Sequence, residues 1–159
     1  MSDEMNLKRA KEVYADLCRA LDAKEWIYDK DEENLRIDTG CKSDDLPIRY
    51  LMRIDPDRQL VRIFSHIPVT VPEDKRLEVA VALNIINNKL VFGAFGYDIG
   101  EGNIYFQISN SYKDSDLNDE VFFYMMMCAM STIEAYNDKL FAIAKDMLPL
   151  QKFMEDQLK

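Results

Sequence analysis

The segment from Glu73 to Ser109 limits what this chain can fold into more than any other part of it. Pro72 lacks an N–H and disfavours helix in the residue before it, so a helix has a defined start at about Glu73. Glu73 and Asp74 complement the positive end of that helix. The run Val79 to Ile86 is rich in β-branched residues, and propensity alone would allow a strand. Its length and polar flanks favour a helix that ends in an asparagine-rich corner. There Asn84, Asn87 and Asn88 can satisfy loose backbone groups with their short side chains. Leu90 to Tyr97 reads as a buried strand, with Gly93 and Gly96 marking close backbone approach or a bulge. Gly100 and Gly102 turn the chain, and Ile104, Phe106 and Ile108 alternate with Tyr105, Gln107 and Ser109 in the return strand. These glycines form no phosphate cradle, because they lie within and between strands and no Gly-Lys-Ser/Thr follows them.

The flanking regions complete the pattern. Residues 5–22 carry Leu7, Ala10, Tyr14, Leu17 and Leu21 at spacings of three and four, which predicts an amphipathic helix capped by Ser2 or Asp3. Trp26-Ile27-Tyr28 is expected to be a strand, Asp29 to Asn34 a charged connection, and Leu35 to Thr39 the return strand. Ile48, Tyr50, Met52 and Ile54 alternate with Arg49, Leu51 and Arg53. After the turn Asp55-Pro56-Asp57-Arg58, Val61, Ile63, Ser65 and Ile67 share one strand face, and Leu60, Arg62, Phe64 and His66 share the other. From Asp116, the expected cap, the last third is helical. Its apolar stripe runs from Val121 and Tyr124 through Met125, Cys128, Met130, Ile133, Tyr136 and Leu140 to Ile143 and Met147. Pro149 ends or kinks this helix, and Leu150, Phe153, Met154 and Leu158 extend a final amphipathic piece. The fold class that follows is α+β: an antiparallel sheet of five to six strands flanked by helices, in the order α-β-β-β-β-α-β-β-α, within one domain over residues 1–159.

Charge and residue inventory narrow the function. With 20 Lys and Arg against 29 Asp and Glu, the net charge is −9, which disfavours nucleic acid and anionic lipid and suits a basic or amphipathic protein partner. No apolar run approaches the roughly 20 residues that span a membrane, and the N-terminus has no basic region leading into an apolar one. Three widely spaced cysteines offer neither a disulfide framework nor a CxxC pair, so a reducing, cytoplasmic location is expected. His66 is the single histidine, and Cys41 is the only cysteine off an apolar helix face that could join it in a dyad. Asp114-Ser115-Asp116-Leu117-Asn118 begins like a calcium loop, but Asp119 stands where glycine is needed and Met125 where glutamate is needed. No catalytic residue, metal ligand or cofactor is therefore assigned, and the chain reads as a non-enzyme.

Two surfaces attract functional readings. Met125, Met126 and Met127 cover about 200° of helix circumference at roughly 100° per residue, so they cannot all face one side. Phe123, Met126, Met127 and Met130 are accordingly expected either to touch a protein partner or the second subunit of a homodimer, or only to complete the core. Arg49, Arg53, Arg62 and His66 fall on neighbouring strands, where they either bind a carboxylate or phosphate or form a solvated outer face.

Short motifs also carry a resemblance. Val71-Pro72-Glu73-Asp74-Lys75-Arg76 opens the second helix, Leu83-Asn84-Ile85-Ile86-Asn87 closes it, and Gly93-Ala94-Phe95 precedes Gly102-Asn103-Ile104-Tyr105. In these motifs and in the order of its elements the chain resembles the YbjN-like family of bacterial sensory transduction regulators. That resemblance implies a fold like that of type III secretion chaperones, usually a homodimer, and no catalytic residues to transfer. It implies a non-enzymatic protein-binding module of regulatory or chaperone/adaptor type. The alternative is a small anionic-ligand sensor or enzyme that uses the arginine-bearing sheet face. The methionine-rich last helix departs from the family pattern.

Overall fold

Alternating strands leave one apolar face to be covered, and the helices cover it from one side. The computed structural model describes residues 2–159, with side chains from Asp3 onward. The elements are α1 (Ser2–Ala23), β1 (Tyr28–Asp31), β2 (Arg36–Cys41), β3 (Ile48–Asp55), β4 (Leu60–Thr70), α2 (Arg76–Asn87), β5 (Ala94–Asp98), β6 (Asn103–Ser111), α3 (Asp119–Ala144) and α4 (Leu150–Gln157). The strands form one antiparallel sheet in the order β1-β2-β3-β4-β6-β5. The α+β expectation and its element order are met, with α4 added at the end.

The core lies between the sheet and the helices. Ile37, Tyr50, Met52, Ile54, Ile63, Phe106 and Ile108 point into it from the strands, and Leu17, Leu21, Val79, Ile86, Phe122 and Met125 from the helices. Helix α1 packs on β3, α3 on β4 and β6, and α2 on β5, while α4 packs against α2. Two of the tyrosine hydroxyls that reach this interior are partnered: Tyr50 donates to the Met126 carbonyl at 3.1 Å and Tyr112 to the Asp55 carbonyl at 3.0 Å, whereas the buried Tyr97 hydroxyl has no partner among the described residues. The other sheet face carries Arg36, Asp38, Arg49, Leu51, Arg53, Arg62, Phe64, His66, Tyr105 and Gln107, none of them buried.

The central segment folds by local devices. A 3-10 turn at Glu73–Lys75 leads into α2, which buries Val79, Ala82, Leu83 and Ile86 at helical spacing despite its β-branched content. The side chain of Asn87 then accepts from the Phe95 N–H at 2.8 Å and donates to the Phe95 carbonyl at 2.9 Å. One amide thus serves as a stand-in neighbour for edge strand β5. This clamp places the strand later than expected: it spans Ala94–Asp98, and Leu90 to Gly93 form an irregular approach. Gly96 allows the Tyr105 ring to lie across the sheet, since a Cβ there would fall 2.2 Å from that ring.

Five further expectations are corrected. Strand β1 is Tyr28–Asp31, not Trp26–Tyr28, because the Asp31 carboxylate accepts from the Asn34 N–H at 3.2 Å and closes the turn after it. Helix α3 is capped by Asn118, whose side chain accepts from the Val121 N–H at 3.1 Å, whereas Asp116 pairs with Arg9. The buried face of α3 keeps Met125, Ile133, Leu140 and Ile143 of the expected stripe and adds Phe122, Met126, Ala129, Asn137 and Ala144, whereas Tyr124, and Met147 beyond the helix, are exposed. The helix ends at Ala144, and Pro149 instead occupies the N-cap position of α4. On α1, Asp3 lies inside the first turn, and a cap from Ser2 falls outside the described side chains.

Candidate functional site

The four residues picked from the methionine-rich helix do not share a face. Met126 is 2% exposed and belongs to the core, held beneath the Tyr50 hydroxyl. Met130 is half-buried, with its Sδ 3.8 Å from Cys41 Sγ. Phe123 is half-buried under the Lys24 ammonium, which stands 5.8 Å from its ring centre. Met127 points outward at 55% exposure, beside Tyr124 at 61%. The Tyr124 ring stacks on Phe92 at 5.7 Å and 17°, and the adjacent Val91 is wholly exposed. The nearby Cys128 thiol raises the pKa of the Tyr124 phenol. On the other flank, Lys24 leads to Ile27, which is 93% exposed.

This face was only partly legible. Tyr124 was expected in the core stripe, Val91 and Phe92 in a buried strand, and Ile27 in β1. The only available signal was girth: a helix apolar on more than one side needs a second cover.

On the sheet, the structure brings Arg49, Arg53, Arg62 and His66 onto the same open face, as the alternation predicted. Register adds Arg36, which the sequence reading missed: it lies opposite Arg53, and Arg53 lies opposite Arg62. Arg36 pairs with Asp38 at 3.1 Å. Arg62 sits 3.9 Å from Asp55 and 4.8 Å over the Phe64 ring. Asp55 also receives the Arg58 N–H at 3.0 Å and the Arg58 guanidinium at 3.2 Å. Burial pushes its carboxyl up, but these hydrogen bonds and the charges of Arg58 and Arg62 outweigh burial and hold its pKa below the usual range. Among the described residues, Arg49 and Arg53 have no acidic partner. A shallow hollow of about 340 Å³ lies between Asp38, Pro47, Arg49, Tyr50, Leu51, Phe64, His66 and Pro68, so one carboxylate already borders it.

The candidate dyad is separated. Cys41 sits on the helix side of β2, near Met130, while His66 stands on the open face of β4 and contacts the Tyr105 ring at 6.0 Å. No helix among the described residues is long and apolar enough to cross a membrane.

A sequence profile of the YbjN family, described as "Putative bacterial sensory transduction regulator", matches residues 14–142. The chain belongs to this family. No curated protein matches the sequence. Among solved structures, the YbjN member is similar to YbjN from E. coli, described as "a putative transcription regulator", at TM-score 0.62 and 13% identity over 84% of this chain and 92% of that one. It is also similar to a chain of the ExsC–ExsE complex, at TM-score 0.56 and 12% identity over 81% and 93% of the two chains. A chain of the HopA1–SchA chaperone–effector complex aligns at TM-score 0.53 and 15% identity over 78% and 91%. The expected secretion-chaperone-like fold is thus met, and at these identities the likeness concerns fold alone.

Proposed function

We propose that this YbjN-family chain is a non-enzymatic protein-binding module of regulatory or chaperone/adaptor type, and that it takes its partner on the outward face of α3. The observation that carries this reading is the line of exposed apolar side chains at Tyr124 and Met127, widened by Phe123, Phe92 and Val91. Surfaces of this composition, with aromatic and methionine side chains left in water, are the kind that interfaces cover. Two of the similar folds come from complexes, one of them a chaperone–effector complex, which supports a binding role for this fold here. The cytoplasm is the setting that the cysteine usage supports.

The test is affinity purification of the tagged full chain from its own cells, compared with Met127→Glu and Tyr124→Glu variants, with light scattering on each. A protein retained by the wild type and lost from both variants, at unchanged melting temperature, supports the reading. If the variants instead convert a dimer into a monomer, the face is the homodimer interface. If both variants keep the same partners and the same mass, the proposal fails.

A further inference from the structure

We infer that the open face of the sheet is a second binding site, specific for an acidic polypeptide segment in extended conformation that sets one apolar side chain between two carboxylates. Three rows of side chains across β2, β3 and β4 carry this inference. In the first row Arg36, Arg53 and Arg62 stand side by side on three adjoining strands. Neighbouring strands are about 4.8 Å apart, and like charges directly opposite repel. The outer two arginines each have a carboxylate, Asp38 and Asp55, but the central Arg53 has none among the described residues. In the second row Leu51 faces Phe64, half-buried and apolar on an otherwise polar face. In the third, Arg49 makes no ion pair among the described residues at the hollow it shares with Asp38 and His66.

The spacing selects the occupant. Arg49 and Arg53 are four residues apart on one strand, about 13 Å, which is too far for a single carboxylate or phosphate to bridge. It is the distance between side chains i and i+4 of an extended chain, and side chain i+2 then falls over Leu51 and Phe64. Guanidinium groups suit such carboxylates because they bind them through paired N–H donors. The margins select against longer anions. Asp29 and Asp31 point to the same face from edge strand β1, while Asp38 stands beside Leu51 and is paired with Arg36. A continuous polyanion, such as nucleic acid or an anionic membrane, would extend over Asp29 and Asp31 and be repelled, whereas a short segment confined to β3 and β4 stays clear of them.

The probe is a fluorescently labelled peptide, Gly-Ser-Asp-Thr-Leu-Thr-Asp-Ser-Gly, read by anisotropy against the full chain at low salt. Expected is saturable binding that weakens at least about tenfold, or about 1.4 kcal/mol, in Arg49→Glu and in Arg53→Glu. The same loss is expected when the peptide's aspartates become asparagines. Both arginines are exposed, so neither variant lowers the melting temperature. Lys30→Glu, on an edge strand away from the arginine rows, leaves the affinity unchanged. The double variant Arg49→Glu/Arg53→Glu gains affinity for a peptide with lysines in place of the aspartates. Any of four results overturns the inference. The aspartate and asparagine peptides bind alike, or neither binds. Inorganic phosphate at millimolar concentration displaces the peptide fully, making this a small-anion site. A single-stranded oligonucleotide binds more tightly than the peptide. Or Arg53→Glu changes the mass by light scattering, making the face a contact between copies.

Discussion

Gly102 holds the hairpin that joins β5 to β6, and its replacement by alanine tests the reasoning about this segment most sharply. Its φ of +77° is in the left-handed region, where a Cβ costs roughly 1–2 kcal/mol. The built Cβ falls 2.4 Å from the Val71 carbonyl oxygen and 3.2 Å from the Val71 nitrogen. Val71 cannot yield cheaply: it is 0% exposed, and its N–H donates to the Gly102 carbonyl at 2.8 Å. Relieving the overlap therefore strains a bond between the same two residues, and overpacking of this kind costs roughly 1–3 kcal/mol. The sum is about 3 kcal/mol, a large part of the roughly 5–15 kcal/mol that holds a domain together. At about 2–4 °C per kcal/mol for a chain of this size, the melting temperature falls by roughly 6–12 °C. The control lies two residues away. Gly100 has no positive φ, and its nearest contact is the Asp98 carboxylate at 3.3 Å on an exposed side chain, so Gly100→Ala stays within about 0.5 kcal/mol of wild type. Urea denaturation followed by circular dichroism measures both. If Gly102→Ala costs less than about 1 kcal/mol, or Gly100→Ala costs as much as it does, the Val71 contact does not constrain the turn.

Asn87→Ala removes both hydrogen bonds to Phe95 and is expected to cost about 2–3 kcal/mol; Asn87→Asp keeps the acceptor, and its midpoint in urea should lie between the two. Met126→Ala should cost about 2–5 kcal/mol and Met127→Ala under about 0.5, and equal losses in thermal denaturation would refute the division of α3 into a core row and an outward line. For Asp55, the folded pKa lies below the unfolded value of about 3.9, so its stabilisation is fully present above that value and is lost as pH falls through the folded pKa. The difference in urea midpoint between wild type and Asp55→Asn should therefore be largest near neutral pH and shrink below about pH 4; a gap that stays constant down to pH 3 contradicts the role given to Arg58 and Arg62.

Where side-chain periodicity decides, the sequence was sufficient. The alternation in Ile48 to Ile54 and Val61 to Ile67 placed every core residue of β3 and β4 on its correct face, and with them Arg49, Arg53, Arg62 and His66. Periodicity fails where a run is apolar on all sides. Leu90 to Gly93 looked like strand because nothing in its composition records the Asn87 amide that defines β5 four residues later. On α3, apolar residues at 121, 122, 124, 125 and 126 fit several stripes, and only packing against the sheet picks the row through Phe122 and Met126. Arg36 was missed for a different reason. It becomes a neighbour of Arg53 through strand register, which short-range patterns do not encode.

Both candidate surfaces depend on that same register. In β3, Tyr50 turns inward and ties its hydroxyl to the Met126 carbonyl, seating α3 so that Met127 and Tyr124 face out. Its neighbours Arg49 and Leu51 turn the other way and supply the charged and apolar positions of the open face. A slip of one residue would exchange these roles, burying Arg49 and expelling Tyr50. The register is held from both sides, by pairs from Arg36↔Arg53 to Cys41↔Ile48 with β2 and from Leu51↔Phe64 to Asp55↔Leu60 with β4. The arginines therefore do not need to be favourable where they stand. The burial of Ile48, Tyr50, Met52 and Ile54 sets the register and carries them onto the open face. The repulsion among Arg36, Arg53 and Arg62 is a local cost that the core overrides and that a bound carboxylate would relieve.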